Sequence, residues 1–185
     1  MTVSELVLST LLPALLVWGV VIYNRLVKDR HLVLAAWSDI DVQLKRRHDL
    51  IPKLVAVVQG YTGYEAELLT EISRLRASSA GLQQPLPRAE LESRLGDRLQ
   101  MMRVRAEAYP ELKASEPFLG LMREISQVEE QLQYARRFYN GAVRGFNVRL
   151  QSFPDLLLAR LLAFHPADYF ELASSAESVP PELRS

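Results

Sequence analysis

Residues 37–55 read WSDIDVQLKRRHDLIPKLV. Apolar side chains recur at Val33, Trp37, Ile40, Leu44 and Ile51, stepping by four and three when Arg47 is counted between the last two. That spacing is the mark of a helix with one apolar stripe. A block of charge, Lys45-Arg46-Arg47-His48-Asp49, interrupts the stripe, and Pro52 follows at once. The same rhythm then continues through Leu54, Val58, Tyr61, Glu65, Leu68, Ile72 and Leu75. A repeat of 3.5 residues is the seam of coiled-coil-like packing. No Gly or Asn stands between Asp49 and Pro52 to turn the chain. The spacing therefore predicts one long helix reaching about Ser78, kinked at Pro52, where the ring removes a backbone hydrogen bond. The alternative is a true break, with Asp49 helping to cap a second helix that starts around Pro52.

Two charges fall on this seam, Arg47 and Glu65. On one straight helix they are about 27 Å apart, too far to pair. Each needs a partner elsewhere, because an unpaired buried charge is costly. Glu129, Glu130, Arg136 and Arg137, further along the chain, are the candidates. The plainer reading is a polar layer that sets the register of a helical bundle. The sharper one is a patch for a protein partner, built from Asp41, Lys45, Arg46, Arg47, Asp49 and Glu65 with those later charges.

Downstream, Ser78-Ser79-Ala80-Gly81 closes the long helix, and Pro85 and Pro87 restart the chain. Arg88–Tyr109 reads as a third segment, with Leu91, Leu95, Leu99, Met102 and Ala106 on one face. Pro110 and Pro117 bracket the next break. A further seam starts at Phe118 and runs through Leu121, Ile125, Val128, Leu132, Ala135, Tyr139, Ala142 and Phe146. It predicts a core helix of about 30 residues packed along the long one. Leu156–Phe164 reads as a short helix after Pro154, ended by His165-Pro166, and residues 172–185 as a flexible tail.

At the other end, Leu6–Ile22 carries no charge. Counted to Tyr23 it approaches the roughly 20 residues a transmembrane helix needs. Trp18 and Tyr23 sit toward its far end, where aromatic rings favour the membrane border. Pro13 is tolerated in such helices. The rivals are a buried core helix and a signal peptide; the latter needs a basic start and small residues at a cleavage site, and neither is present. Arg25, Lys28 and Arg30 follow the stretch and no Lys or Arg precedes it. The positive-inside rule then puts the N-terminus outside and the remainder in the cytoplasm.

Composition excludes several classes. The 185 residues balance 22 basic against 22 acidic side chains, which argues against a nucleic-acid surface. The absence of Cys rules out disulfides and thiolate metal sites. The three His, at 31, 48 and 165, are scattered, and no Glu-x-x-His or His-Glu-x-x-His occurs. Gly-x-Ser-x-Gly and phosphate-loop motifs are missing too. Gly60-Tyr61-Thr62-Gly63 is too short to cradle a phosphate and reads as a helix-interior pair allowing close packing or a bend. No catalytic residue, metal or cofactor is expected.

Longer motifs add to this. Tyr23-Asn24-x-Leu26-Val27, Ala36-Trp37-Ser38-x-Ile40-Asp41-Val42-Gln43-Leu44-Lys45-Arg46-Arg47-x-Asp49-Leu50-Ile51-Pro52-x-Leu54-Val55 and Gly60-Tyr61 resemble the LemA family. So do Tyr109-Pro110-x-Leu112-Lys113-Ala114, Arg136-Arg137-x-Tyr139-Asn140-x-x-Val143 and Pro166-x-x-Tyr169-Phe170-Glu171. Lys53 departs from the Asn common there. The resemblance implies a single-span bacterial inner-membrane protein with an antiparallel helical bundle and no established enzymatic activity. Family members often lie near genes for a membrane-bound zinc protease, which makes such a protease or another membrane protein a candidate partner. One branch is associated with magnetosome membranes. Neither association carries over to this chain on its sequence.

The expectation is thus an all-α chain. Residues 1–23 form a transmembrane anchor, and residues 24–171 a bundle of three to four long helices. It is expected to act as a non-enzymatic scaffold or adaptor, with the lipid bilayer and a protein partner or further copies as its contacts, and no nucleic acid. A membrane-organising oligomer is the alternative, and an enzyme using the Lys45–Asp49 and Glu65 charges the remotest.

Overall fold

The computed structural model describes residues 3–61 and 66–170, with the side chains of residues 3–10 and 12 left out. These residues are mostly helical, with no strand among them. Six helices follow in order: α1 Val3–Gln59, α2 Ala66–Ala80, α3 Pro85–Ala106, α4 Pro110–Lys113, α5 Glu116–Gln151 and α6 Asp155–Leu161. The flexible tail expected over residues 172–185 lies outside the described residues.

The helix does run through Pro52, but not to Ser78. α1 ends at Gln59, and a new helix begins at Ala66. Gly60, expected inside a helix, stands just past its end. The amides of Gly60 and Tyr61 reach back three residues, to the carbonyls of Val57 (3.3 Å) and Val58 (3.1 Å), tightening the final turn. Glycine just beyond a last helical residue is a common stop. The stripe keeps its phase on both sides of the interruption, which is why spacing alone did not reveal it.

Pro52 leaves the carbonyl of His48 without its usual donor, because a proline has no N–H. Arg76 of α2 fills the gap. Its Nε donates to the His48 carbonyl at 2.8 Å. α1 therefore survives its proline with the freed acceptor satisfied from a neighbouring helix.

By contact the chain divides into two compact units, Met1–Ile40 with Tyr134–Asp168, and Asp41–Gln133 with Tyr169–Ser185. α1 and α5 each contribute to both.

In the first unit α1 buries Ile22, Leu26, Val33, Ala36 and Ile40, and α5 buries Tyr139, Val143, Phe146 and Leu150. The two helices run antiparallel. Trp37 meets Tyr139 with ring centres 5.5 Å apart, and Asp29 meets Arg149 Nε at 2.6 Å, so numbers rise on one helix as they fall on the other. α6 is closed differently from the expected His165-Pro166 stop. Phe164 N–H bonds to the Ala159 carbonyl and Ala163 N–H to that of Arg160, the paired bonds of a Schellman motif. Ala163 occupies the left-handed position with φ 52°. The chain after it is clamped to α5. Asn147 exchanges two 2.9 Å bonds with the backbone of Ala167, and the Tyr139 hydroxyl donates to the Asp168 carbonyl at 2.8 Å. Burial, with help from the charge of Asp168, pushes the Tyr139 hydroxyl up to about 12.

The second unit holds an apolar cluster drawn from α1, α2, α3, α4 and α5, centred on Leu54, Ile72, Leu95, Met102, Leu112 and Ile125. α2 and α3 are antiparallel, with Glu71 against Arg98 at 2.9 Å near one end. Pro85 opens α3 where a missing N–H costs nothing, and Arg103 and Arg105 close it where cations favour the helix dipole. Every position of the α5 seam from Phe118 to Phe146 is buried or half-buried.

Among the described residues no helix is long and apolar enough to cross a membrane. The span expected over Leu6–Ile22 begins on residues 6–10 and 12, whose side chains lie outside the description.

Candidate functional site

The polar side chains that fold inward gather at one level of the second unit. Three helices present a polar residue there on an otherwise apolar stripe. On α1 it is Arg47, following Ile40 and Leu44. On α2 it is Ser79, which continues Leu68, Ile72 and Leu75. On α3 it is Glu92, preceded by Arg88 and followed by Leu95, Leu99 and Met102. All are buried, with Arg47 3% and Glu92 2% exposed.

Glu92 is the hub. Arg47 Nη1 donates to its carboxylate at 3.2 Å and to its backbone carbonyl at 3.3 Å. His48 Nε2 meets the other carboxylate oxygen at 2.6 Å, and the Ser79 hydroxyl donates to that same oxygen. Burial by itself raises the Glu92 carboxyl. The His48 hydrogen bond, the Arg47 charge and Ser79 together outweigh it, and the group is held below its ordinary range. It is ionised at neutral pH and neutralised where it sits.

Arg47 has a second partner. Its Nη2 lies 3.3 Å from Glu129 on α5, a carboxylate that remains about two-fifths in contact with water. Gly96 of α3 makes room for this guanidinium, since a Cβ there would come within 3.1 Å of Nη2. A further pair flanks the layer, Asp41 on α1 with buried Arg88 on α3 at 2.7 Å.

The residues marked from sequence divide accordingly. Arg47, Glu129 and Asp41 enter buried or half-buried pairs. Lys45, Arg46 and Asp49 point to solvent, and Arg46 makes only a 3.5 Å contact with Gln43 one turn back. Glu65 lies outside the described residues. Arg136 and Arg137 belong to the first unit, where Arg136 is half-buried and Arg137 lines a shallow groove with Leu32, Phe138, Gly141 and Gly145. Trp18 and Tyr23 are exposed, as are Arg25, Lys28 and Arg30.

Sequence reasoning missed Glu92, Ser79, Arg88 and the part played by His48. A signal was present. Counting back from Leu95 in steps of three and four lands on Glu92 and then Arg88, and counting on from Leu75 lands on Ser79. Polar residues on a seam of that period belong to the core side.

Chemically the layer is inward-directed: the Glu92 carboxylate accepts from Arg47, His48 and Ser79, three of its roughly four acceptor sites, and its charge is offset by Arg47. Among the described residues no three His, Asp or Glu side chains gather as a metal site.

Comparison with known proteins places the chain among relatives. The model of the LemA family matches residues 36–184. Protein LemA of Metamycoplasma hominis is 30% identical over 158 residues, covering 84% of this chain and 71% of the relative. Magnetosome protein MamQ 2 of Paramagnetospirillum magneticum is 21% identical over 189 residues, covering 87% of this chain and 70% of the relative.

Proposed function

Since this chain belongs to the LemA family, we propose that it is a non-enzymatic, membrane-anchored helical scaffold that presents its helical domain to a protein partner or to further copies. One observation carries the membrane half of this reading. On α1 the side chains of Leu11, Leu15, Leu16, Val17, Val20 and Val21 are all exposed. Leu15, Leu16 and Val17 are consecutive, so they point about 100° apart around the axis. A helix apolar on every side belongs inside a large protein or inside a bilayer. With residues 6–10 and 12 added from the sequence, the uncharged stretch has the length of a short span. Arg25, Lys28 and Arg30 just beyond it support a single pass, with the N-terminus outside and the domain in the cytoplasm.

The scaffold half draws on the buried layer. Arg47, His48, Ser79 and Glu92 are buried and engage one another across three helices, which supports a role in fixing helix register. Crosslinking in intact membranes, followed by gentle solubilisation and purification, tests this. A partner or a multimer should be recovered, and monomers alone with nothing enriched would contradict it. The relative named as a magnetosome protein favours a second reading, an oligomer that organises a membrane. Large, defined assemblies in detergent would select that reading over a one-to-one adaptor.

A further inference from the structure

Helix α6 and the residues flanking it turn large apolar side chains outward. Phe153, Leu157 and Leu161 follow one another at steps of four, and Leu162 joins them. All four are exposed, Phe153 by 80% and Leu161 by 78%. Residues four apart on a helix share a face, so Leu157 and Leu161 form one ridge. Other sides of α6 are occupied. Ala159 is buried, and Leu158 reaches toward Gly19 on α1, where a Cβ would sit 4.0 Å from its Cδ1. Phe164, just after the helix, packs edge-on against Tyr23 and Phe146 at 6.4 Å each.

These contacts fix the level of α6. It lies beside Gly19–Tyr23, the last turn of the uncharged stretch of α1, where Val20 and Val21 are exposed as Leu157 and Leu161 are on α6. The flanking charge is positive. Arg25, Lys28, Arg30 and Arg160 are exposed there. Two acids of this unit, Asp29 and Asp155, are both engaged by Arg149, at 2.6 and 3.5 Å. Arg30 also lines a small cleft of about 180 Å³ with His165 and Leu162.

We infer that α6 is an interfacial foot, lying in the plane of the bilayer with Phe153, Leu157, Leu161 and Leu162 among the upper acyl chains and anionic phospholipid headgroups against Arg30 and Arg160. A short helix with an apolar edge and a basic rim has the build of an interfacial element, which sinks its apolar side roughly 5–10 Å below the headgroups. Each basic residue at such a surface attracts anionic lipid. This inference rests on α1 being the membrane anchor. It adds that the domain is held at a fixed height and tilt by a second, non-spanning contact.

The chain has no Cys, so single cysteines report position without background. Full-length Leu161→Cys, Val17→Cys and Ser38→Cys would each carry a fluorophore in vesicles of phosphatidylcholine with one quarter phosphatidylglycerol. Ser38 is the aqueous reference, about 24 Å beyond Ile22 along α1. The probe at 161 should be quenched several-fold more by a nitroxide near the headgroup than by one deep in the acyl chains. The probe at 17 should show the reverse, and the probe at 38 should respond only to aqueous iodide. Removing phosphatidylglycerol should at least halve the shallow quenching at 161. If the probe at 161 behaves like that at 38 while the probe at 17 is quenched from the lipid, the foot is wrong and the anchor stands. If the probe at 17 also answers only to iodide, both are wrong.

Discussion

Arg47 and Glu92 meet at 3.2 Å in a position almost closed to water, although 45 residues separate them in sequence. Removing one partner of such a pair strands the other charge, at a cost of about 3–5 kcal/mol. Glu92→Ala should therefore lower unfolding stability in detergent by that order. Replacing both ends by apolar side chains, Arg47→Met with Glu92→Leu, should restore most of it. Glu129→Ala should cost less than about 1 kcal/mol, because a pair with a water-exposed carboxylate is worth little. Denaturant titration of the three variants beside the unchanged protein ranks them directly. Equal losses at Glu92 and Glu129 would contradict the assignment of Glu92 as the hub.

The pH dependence follows from the same carboxyl. Glu92 is held below its ordinary value near 4.5. A depressed acid contributes stability above its unfolded value, and that contribution is lost as pH falls through the folded one. The urea midpoint should decline as pH drops below about 4.5, and Glu92→Gln, lower at neutral pH, should decline less steeply. Parallel curves for the two would remove Glu92 from the explanation.

The proline in α1 can be tested through its compensating donor. Arg76 supplies the hydrogen bond that Pro52 cannot. Arg76→Met leaves the His48 carbonyl without a donor and should cost about 1–3 kcal/mol. In a Pro52→Ala background the helix regains its own N–H, so the same substitution should cost clearly less. A double-mutant cycle with no coupling between positions 52 and 76 would show that the bond contributes nothing.

How much of this was legible beforehand depended on what a residue's neighbours in sequence reveal. α5 was plain because every seam position from Phe118 to Phe146 is apolar, and only one face of one helix needed to be counted. The passage through Pro52 was legible from the unbroken phase around it. The stop at Gln59 was not, because α2 resumes the same phase after the interruption and period counting is blind to a break that preserves it. Glu92 was passed over because Leu91 drew the stripe one position aside. Partners on other helices, such as Arg76 for the His48 carbonyl, depend on tertiary placement that no local pattern encodes.

Ala163 closes α6 with φ 52°, a conformation that a Cβ disfavours by about 1 kcal/mol or more. Ala163→Gly should raise stability by about 0.5–1 kcal/mol, the relief being partly offset by the freer unfolded chain. Ala163→Val should destabilise instead. Thermal melts of the three proteins read the order, and a loss on substitution by glycine would mean that the Schellman closure does not hold.

The anchored-scaffold reading stands or falls with the membrane. The decisive measurement is an alkaline carbonate wash of membranes holding the full chain, paired with protease treatment of intact and opened cells. The chain should stay in the membrane pellet, and its Pro180-Pro181 end should be cut only once cells are opened. Release of the whole chain into the wash would contradict a spanning anchor, and cleavage in intact cells would reverse the orientation.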